Sequence, residues 1–532
     1  MLKFFQKHKY TFLIILVAFL LMLVYQFIWI SPNSLGGNDS YSYLAKAQLL
    51  RTLGLGAASY PSLLPFTFWA VIKTDNTLIF DYLVAGLLYI GTSIAFFKIV
   101  ISILFACSSV VFYKVASQKV RYSLPVFIFI LVCIFGNIAF FLKFAELRPL
   151  IFSIVLYFLT LSILFLYNNK NLFLIPIAFA YTLLHTTVFL TFVPVVALAI
   201  FDHKNWKSYL QSLLYLFIGI TLAVLIYPAP NFIEILAIQP IIPFIYRTIP
   251  FKIDGAFEVA GDITNPGYLL ASNVINILML ASAILLYGLH LSKKFRFKMD
   301  RFKLTSFSLF GLFFCLDLFS RRFSDYLTPT MIVFGLLHFD DFAKLAKLTW
   351  PFILKHKYAL ISVALVLFIG FSFVFYNKYL KDNFTNTDYQ GNEKSDLPDP
   401  YGPAAYIDSN IAKDSYIYND AWEDFPFFAY YAPNYKYAAG MELGFMYLYD
   451  HSMLHFYQDF RADNGFKDTG SDLIYTLCNI SFKDYIHSNF KSNLLVIKKG
   501  NSEKMSKFLL DNYSRFGLKK VFENDFYTLY QF

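Results

Sequence analysis

Charged residues are scarce in this chain, and their scarcity excludes an ordinary water-soluble enzyme. Asp, Glu, Lys and Arg make up only 15% of the 532 residues, whereas roughly 25% is usual for soluble domains. Hydrophobic residues reach 58%, with 63 Phe and 39 Tyr. Such a composition is typical of a chain that lies mostly in lipid. We therefore expect a polytopic membrane protein.

Cysteine and polar low-complexity sequence are rare as well. The four cysteines form no CxxC pair, so the sequence predicts neither a disulfide framework nor a zinc site of that type. The shortage of polar low-complexity tracts excludes a disordered chain. The net charge is +10, but the excess of Lys and Arg lies before residue 377, and the remaining residues are acidic on balance. This distribution argues against nucleic acid as a partner.

Long apolar runs predict about eleven membrane spans, because a membrane helix needs roughly 20 mostly apolar residues. The run 172–201 counts twice, since the polar sequence His185-Thr186-Thr187 interrupts its middle and favours a turn near the outer surface. The candidate spans are 11–30, a long run within 82–114, 124–142, 149–167, 172–201, 209–228, 270–291, 304–319, 326–342 and 352–376.

Lys and Arg concentrate in alternate connections between these runs, and the positive-inside rule makes those connections cytoplasmic. The N-terminus is then inside and the C-terminal residues outside, in what we expect to be a bacterial inner membrane. The fold class is mainly α, with a transmembrane domain at 1–376, a polar linker at 377–400 and a small extracytoplasmic α/β domain at 401–532. Strands are predicted at 415–418 and 494–498, a helix at 503–513 and a terminal strand or hairpin at 520–531.

The unusual polar clusters of the predicted membrane domain all fall on the outer side. In the first outer loop, Asn38 and Asp39 follow Gly36-Gly37 and precede a helix. Asp39 is either a helix cap or a general base held at the membrane surface, and one residue can do both. The motif Glu146-Leu147-Arg148-Pro149 opens a later span. Arg148 is either an interfacial anchor or a ligand for a substrate in the same outer cavity.

Three further clusters carry candidate residues. His185 is either a packing residue or a site residue near the outer surface. Arg321 and Arg322 oppose the positive-inside trend, so they either reach to lipid phosphates in general or form a specific phosphate clamp, to which Arg247 can add. In the C-terminal domain, Trp422 and Asp424 lie in an aromatic and acidic string that suits either a sugar site or a packed turn.

Taken together, these residues resemble the GT-C superfamily of polytopic glycosyltransferases, which includes the protein O-mannosyltransferases and the bacterial lipid A aminoarabinose transferases. The matching pieces are Gly37-Asn38-Asp39 with Tyr43 and Ala45, then Arg148-Pro149, then Arg322 to Tyr326 with Pro329, and a polar outer C-terminal domain. The resemblance covers the membrane portion in order, and each motif is short.

The resemblance implies an inverting transfer of a sugar from a polyprenyl phosphate to an acceptor hydroxyl of a lipid, glycan or protein at the outer face. Asp39 would be the base, and Arg321, Arg322 and Arg148 would bind the donor phosphate. Asn38, Tyr43, Glu146, His185, Arg247, Trp422 and Asp424 would contribute to substrate binding. Many relatives carry a second acid directly after the first, whereas Ser40 follows Asp39 here. We therefore expect no metal and no other cofactor.

Three other functions remain open. A transporter or flippase for lipid-linked sugars would tend to show repeated halves and a site at the middle of the membrane, and no internal repeat is found. A polysaccharide polymerase or ligase would use related chemistry in other arginine-rich outer loops. A non-catalytic receptor or assembly subunit would use the C-terminal domain for protein contacts. The sequence predicts that Asp39 and Arg322 converge on one extracytoplasmic pocket.

Overall fold

A computed structural model describes most of the chain. The described residues are 2–30, 35–53, 63–67, 70, 77–120, 123–167, 171–227, 232–238, 274–292, 297–319, 323–355, 401–440, 446, 449–462, 466–468, 473–475, 480–499 and 504–532. The predicted linker 377–400 and most of the predicted span 352–376 lie outside them.

Helices dominate the described residues. They are α1 (Leu2–Val24), α2 (Asn38–Leu53), α3 (Leu78–Leu88), α4 (Ile94–Lys119), α5 (Ser123–Phe135), α6 (Ile138–Phe144), α7 (Leu150–Leu166), α8 (Leu174–Leu184), α9 (Phe192–Phe201), α10 (Trp206–Ile226), α11 (Phe232–Ile238), α12 (Val274–Leu291), α13 (Arg301–Phe319), α14 (Ser324–Leu337), α15 (Phe339–Lys355), α16 (Tyr401–Asn410), α17 (Phe425–Tyr431), α18 (His451–Ala462), α19 (Phe482–Phe490) and α20 (Lys504–Asn512).

Strands occur only towards the C-terminus of the described chain. They are β1 (Tyr416–Asn419), β2 (Lys436–Tyr437), β3 (Phe466–Asp468), β4 (Leu473–Tyr475), β5 (Ile480–Ser481), β6 (Leu494–Lys498), β7 (Lys519–Glu523) and β8 (Tyr527–Gln531). The contacts divide the described residues into two compact units. We call them the helical unit and the mixed unit.

The helical unit contains the described residues of Met1–Ser34, Ala95–Ile226 and Gly261–Ser395. Its helices are apolar around much of their circumference, which suits helices surrounded by lipid or by one another. Four segments of this unit's helices are long and apolar enough to cross a membrane: His8–Ile28, Ile94–Lys119, His203–Ile226 and Val274–Leu291. The count of eleven spans remains a prediction.

Two breaks interrupt the apolar runs of the helical unit. The run 172–201 divides at His185 into α8 and α9, as the sequence predicted, with a 3₁₀ helix at Thr186–Thr191. The run 124–142, predicted as one helix, divides into α5 and α6. Asn137 explains the second break, because its side chain accepts a hydrogen bond from the Phe140 backbone as an N-cap. An N-cap residue starts a new helix and so favours the break.

The mixed unit contains the described residues of Leu35–Ile94, Tyr227–Ala260 and Asp396–Phe532. Its larger sheet has the strand order β2-β1-β6-β8-β7. Strand β1 is parallel to β2 and β6, whereas β8 is antiparallel to β6 and β7. The second sheet is an antiparallel meander of β3, β4 and β5. The predicted strands are confirmed, and the predicted amphipathic helix at 503–513 is confirmed as α20.

The described residues of the predicted first outer loop belong to this mixed unit rather than to the helical one. Phe66 is part of the same buried cluster as Tyr418 and Phe490, and its ring centroid lies 5.9 Å from that of Phe490. Helix α2 packs extensively on α17. The division of the chain at residue 376 stays a prediction, and the structure adds that the described residues of Leu35–Ile94 fold together with those of the C-terminal part.

Candidate functional site

Asp39 lies in the first turn of α2. The chain enters this helix through Gly37, whose φ of 68° is a conformation that glycine adopts without strain. The Ser40 hydroxyl donates to the Gly36 carbonyl at 2.6 Å and fixes the turn. Ser40 and Tyr41 are buried, whereas Asp39 is partly exposed. A carboxylate in a helix's first turn is stabilised by the helix dipole, and this one is accessible from outside the protein.

Helix α2 also carries one partner of a buried ion pair, between Lys46 and Asp81, which the sequence did not predict. Lys46 Nζ lies 2.8 Å from Asp81 Oδ2 of α3 and donates to Thr77 Oγ1 at 2.6 Å. Both charged side chains are 1% exposed. The predicted site residue Tyr43 packs beside this pair, with Lys46 Nζ 4.7 Å from its ring centroid. The sequence did contain one signal of this pair. Asp81 is an acid within an apolar run, and because such residues are costly to bury, they usually have a partner.

A second group of predicted residues meets in the helical unit. Arg148 forms an ion pair with Glu146 in the connection between α6 and α7, and both side chains are largely buried. Their pairing neutralises the two charges. The ion pair also holds the guanidinium group of Arg148 in place. A phosphate that bound Arg148 would compete with the Glu146 carboxylate for this group.

His185 joins this group from the break between α8 and α9. Its Nδ1 lies 2.8 Å from Thr187 Oγ1 and accepts a hydrogen bond from the Thr187 backbone, which caps the 3₁₀ helix. Arg148 is close enough to act electrostatically on the imidazole. The structure therefore pairs Glu146 with Arg148 and places His185 within electrostatic range of that arginine.

Tyr326 extends the group to a third part of the sequence. Its hydroxyl donates to Thr187 Oγ1 at 2.7 Å, and the Tyr181 hydroxyl lies 3.3 Å from the same oxygen. Asp325 is buried and acts electrostatically on both tyrosines. We call Glu146, Arg148, His185, Thr187 and Tyr326 the polar cluster of the helical unit. Its charged and hydroxyl groups suit the binding of an anion that can also accept hydrogen bonds.

Several predicted residues cannot be placed with these. Arg247, Arg321 and Arg322 lie outside the described residues, as does the side chain of Asn38. The predicted meeting of Asp39 with Arg322 therefore stays a prediction.

Trp422 and Asp424 pack inside the mixed unit, which favours the packed-turn interpretation of their string. Trp422 is 6% exposed and belongs to the hydrophobic core. Asp424 accepts hydrogen bonds from Lys498 Nζ at 3.0 Å and from the Tyr527 hydroxyl at 2.8 Å. Burial and the Asp424 charge raise the pKa of Tyr527 well above its ordinary value. Burial opposes the charge of Lys498, but the nearby carboxylates of Asp424, Glu423 and Asp420 together outweigh it and raise the pKa of that ammonium.

Within the described part of the chain, no group of three or more His, Cys, Asp or Glu side chains could hold a metal ion. Independence from metals and other cofactors remains a prediction. No protein-family model and no curated protein matches the chain.

Proposed function

We propose that the chain is a membrane glycosyltransferase that moves a sugar from a polyprenyl phosphate to an acceptor hydroxyl at the outer face of a bacterial inner membrane. The observation that carries the proposal is the polar cluster of the helical unit. His185 and Tyr326 come from distant parts of the sequence and meet at the Thr187 hydroxyl, and Arg148 acts electrostatically on His185. Arg148 and Tyr326 are also residues of the motifs that resemble GT-C enzymes.

In this mechanism the polar cluster binds the donor phosphate. The Arg148 guanidinium stabilises the negative charge that grows on the phosphate as the sugar departs. Hydroxyl and imidazole donors of the cluster provide hydrogen bonds to the remaining phosphate oxygens. The Arg321 and Arg322 side chains are proposed to complete the clamp.

Asp39 is proposed to be the general base. It takes the proton from the acceptor hydroxyl while that oxygen attacks the anomeric carbon from the side opposite the phosphate, so the configuration inverts. The accessible carboxylate at the fixed start of α2 supports this assignment. A base of this kind contributes typically 10²–10⁴-fold to the rate.

The test uses cells that lack the chain and are complemented with the wild type or with Asp39→Asn. Mass spectrometry of the envelope glycans identifies the sugar whose transfer depends on the chain. We expect Asp39→Asn to lower that transfer by about 100-fold or more, while the purified variant binds polyprenyl-phosphate-linked sugars as the wild type does.

Asp340→Asn is the matched control. Asp340 is an exposed acid in the first turn of α15, so its replacement removes a comparable interaction with a helix dipole. If Asp39→Asn transferred the sugar at the wild-type level, Asp39 could not be the general base. Equal losses in the two variants would mean that helix stability, and not proton transfer, accounts for the effect.

Transport of a lipid-linked sugar is the second candidate, and one observation favours it. Lys98 is fully buried within the long apolar helix α4, and charged residues inside spans often line substrate pathways. If the chain is a transporter, the Asp39→Asn variant should move the lipid-linked sugar across a vesicle membrane as well as the wild type does. This result would separate the two functions.

A further inference from the structure

Helix α15 follows α14 after a single residue, His338, and its start is fixed to two other helices of the helical unit. His338 Nδ1 lies 3.3 Å from Asp341 Oδ2, and His338 Nε2 lies 3.2 Å from the hydroxyl of Tyr287 on α12. Asp341 also forms an ion pair with Lys303 of α13. These contacts hold the first turn of α15 in a fixed position against the ends of α12 and α13.

Beyond its first turn, α15 differs from α14 in exposure. Every residue of α14 from Ser324 to Leu336 is buried. On α15, by contrast, Leu345 is buried, whereas Ala343, Lys344 and Lys347 are exposed. Residues three positions apart are neighbours on a helix surface. The two lysines therefore form one exposed patch, which we call the basic face of α15.

The charge of the basic face is not neutralised by other described residues. Within the described part of the chain, neither Lys344 nor Lys347 takes part in an ion pair. Asp340 is exposed one turn before Lys344, but it forms no ion pair with that lysine there. From Phe342 to Tyr358 the sequence contains four lysines and no acid. An anion outside the protein is the natural partner for such a surface.

The position of α15 in the chain places this surface beside the membrane. Residues 343–351 form the predicted cytoplasmic connection between the spans 326–342 and 352–376, and in the structure they belong to α15. So short a connection stays at the membrane surface, because both its ends continue into predicted spans. A helix with an apolar side and exposed lysines on the other side is typical of the membrane interface.

We infer that the basic face of α15 binds the headgroups of anionic phospholipids in the cytoplasmic leaflet. Clusters of lysine and arginine directly next to the cytoplasmic end of a span attract anionic lipids. A soluble polyanion would also be attracted to the lysines, but phospholipids supply phosphate groups at the level where the predicted spans end. The inference does not depend on the proposed sugar transfer.

The experiment uses the purified full-length protein in phosphatidylcholine vesicles, with a fluorescent amino acid in place of Ala343. The quenchers are phosphatidylcholine and phosphatidylglycerol that carry a nitroxide near the headgroup end of one acyl chain. Quenching by either lipid shows that α15 lies at the bilayer surface. The ratio of the two lipids' affinities, obtained from the concentration dependence of quenching, measures the preference for the anionic headgroup.

The test variant is Lys344→Gln with Lys347→Gln. The matched control is Lys204→Gln with Lys207→Gln, because these two lysines are exposed, have the same spacing and lie in another predicted cytoplasmic connection. A third variant, Lys344→Arg with Lys347→Arg, keeps both charges. It separates the loss of charge from any effect of the substitutions on folding.

We expect the wild type to prefer phosphatidylglycerol by about tenfold or more, since each lysine close to anionic lipid contributes roughly fivefold. The glutamine variant of α15 should lose most of this preference and still be quenched by phosphatidylcholine. The control and the arginine variant should keep the preference. Salt at about 1 M should weaken the preference of the wild type, because it screens exposed charges.

An absence of quenching by both lipids would mean that water or another protein covers α15, and it would overturn the inference. Equal quenching by the two lipids in the wild type would exclude recognition of the anionic headgroup. Equal losses in the two glutamine variants would mean that overall positive charge, and not α15, attracts the lipid. Loss of the preference in the arginine variant would also contradict a role of charge. A failure of the proposed sugar transfer would leave all these results unchanged.

Discussion

The ring of Tyr41 lies against the ring of Phe427, with 4.6 Å between their centroids. Tyr41 is two residues after Asp39 on α2, and Phe427 belongs to α17 of the C-terminal sequence. Tyr430 and Tyr431 also contact Tyr41, and its hydroxyl accepts a hydrogen bond from the Leu35 backbone at 3.0 Å. The helix that carries the proposed base is therefore fixed by the C-terminal part of the mixed unit.

Replacement of Tyr41 by alanine tests this relationship. The side chain is 2% exposed, and loss of a buried aromatic side chain costs about 3–5 kcal/mol. We expect Tyr41→Ala to lower the thermal unfolding temperature of the purified protein and to reduce sugar transfer, because the start of α2 loses its support. Tyr89→Ala is the control, since Tyr89 is 75% exposed. Similar unfolding temperatures for the two variants would contradict the packing role.

Local patterns predicted much of the fold. Short runs rich in Tyr, Ile, Leu and Val identified the strands at 415–418 and 494–498, and a polar interruption identified the break at His185. The motif Arg148-Pro149 was recognised as the start of a helix, and Pro149 does precede α7. Each of these features depends on a few neighbouring residues, so a single sequence contains enough information to find them.

Long-range pairing could not be predicted in the same way. Lys46 lies within α2 and Lys98 within a long apolar run, and no residue near either of them in the sequence indicates its partner. Asp81 and the Gln26 carbonyl become partners only when separate helices pack. The docking of α2 on α17 depends likewise on residues almost 390 positions apart, Tyr41 and Phe427. A single sequence carries no direct signal of such contacts.

The buried pair of Lys46 and Asp81 makes a second prediction. Removing one partner leaves a buried charge without compensation, which typically costs about 3–5 kcal/mol. We expect Lys46→Met to destabilise the protein by an amount in this range, measured by chemical unfolding of the purified chain. The double variant Lys46→Met with Asp81→Leu should recover most of the loss, because replacing both partners with apolar groups is often nearly neutral.

The exposed pair of Lys520 and Glu523 gives the control for that experiment. Their side chains are 37% and 40% exposed, and surface ion pairs contribute little. Lys520→Met should leave stability almost unchanged. If the double variant is as unstable as Lys46→Met alone, the loss of stability comes from altered packing and not from an uncompensated charge.

Arg148 makes a prediction about donor binding. The proposal assigns its guanidinium to the donor phosphate, so Arg148→Gln should weaken binding of the phosphate-linked donor and slow the sugar's departure. Kinetics in vesicles should show a higher KM and a lower kcat, with acceptor affinity unchanged. Arg51→Gln is the control, because Arg51 is exposed and caps the Leu88 carbonyl. A variant Arg148→Gln with wild-type donor affinity would exclude the residue from the phosphate site.

Tyr527 and Lys498 make a prediction about alkaline pH. Both pKa values are raised above their ordinary values of 10.0 and 10.5. Burial is the main cause for Tyr527, whereas for Lys498 burial acts in the opposite direction and is outweighed by Asp424, Glu423 and Asp420 together. A raised folded-state pKa means that the folded form holds its proton longer than the unfolded form. The stability from these groups is therefore complete below pH 10 and is lost as pH rises further.

We expect the unfolding temperature to fall above about pH 10, and Tyr527→Phe to make that fall less steep. At neutral pH the same variant should be less stable by about 1.5–3 kcal/mol, since it loses a hydrogen bond to a charged carboxylate. Tyr449→Phe, at a tyrosine that is 39% exposed, should leave both quantities unchanged. Parallel pH profiles for wild type and Tyr527→Phe would contradict the assignment.

Gly219 makes the last prediction, which concerns helix packing. A Cβ atom built on Gly219 of α10 would meet the Ile175 carbonyl oxygen of α8 and would lie 2.8 Å from Ala178 Cβ. Small residues let helices of membrane proteins approach closely, so Gly219→Ala should destabilise the protein by about 1–3 kcal/mol. Gly288 lies within α12 and has nothing within 4 Å of the same position. Gly288→Ala should therefore stabilise the protein by up to about 1 kcal/mol, because alanine favours the helix. The unfolding temperature should therefore fall in Gly219→Ala and rise in Gly288→Ala. A change in the same direction in both variants would mean that helix propensity, and not the close approach of α8 and α10, explains the glycine at residue 219.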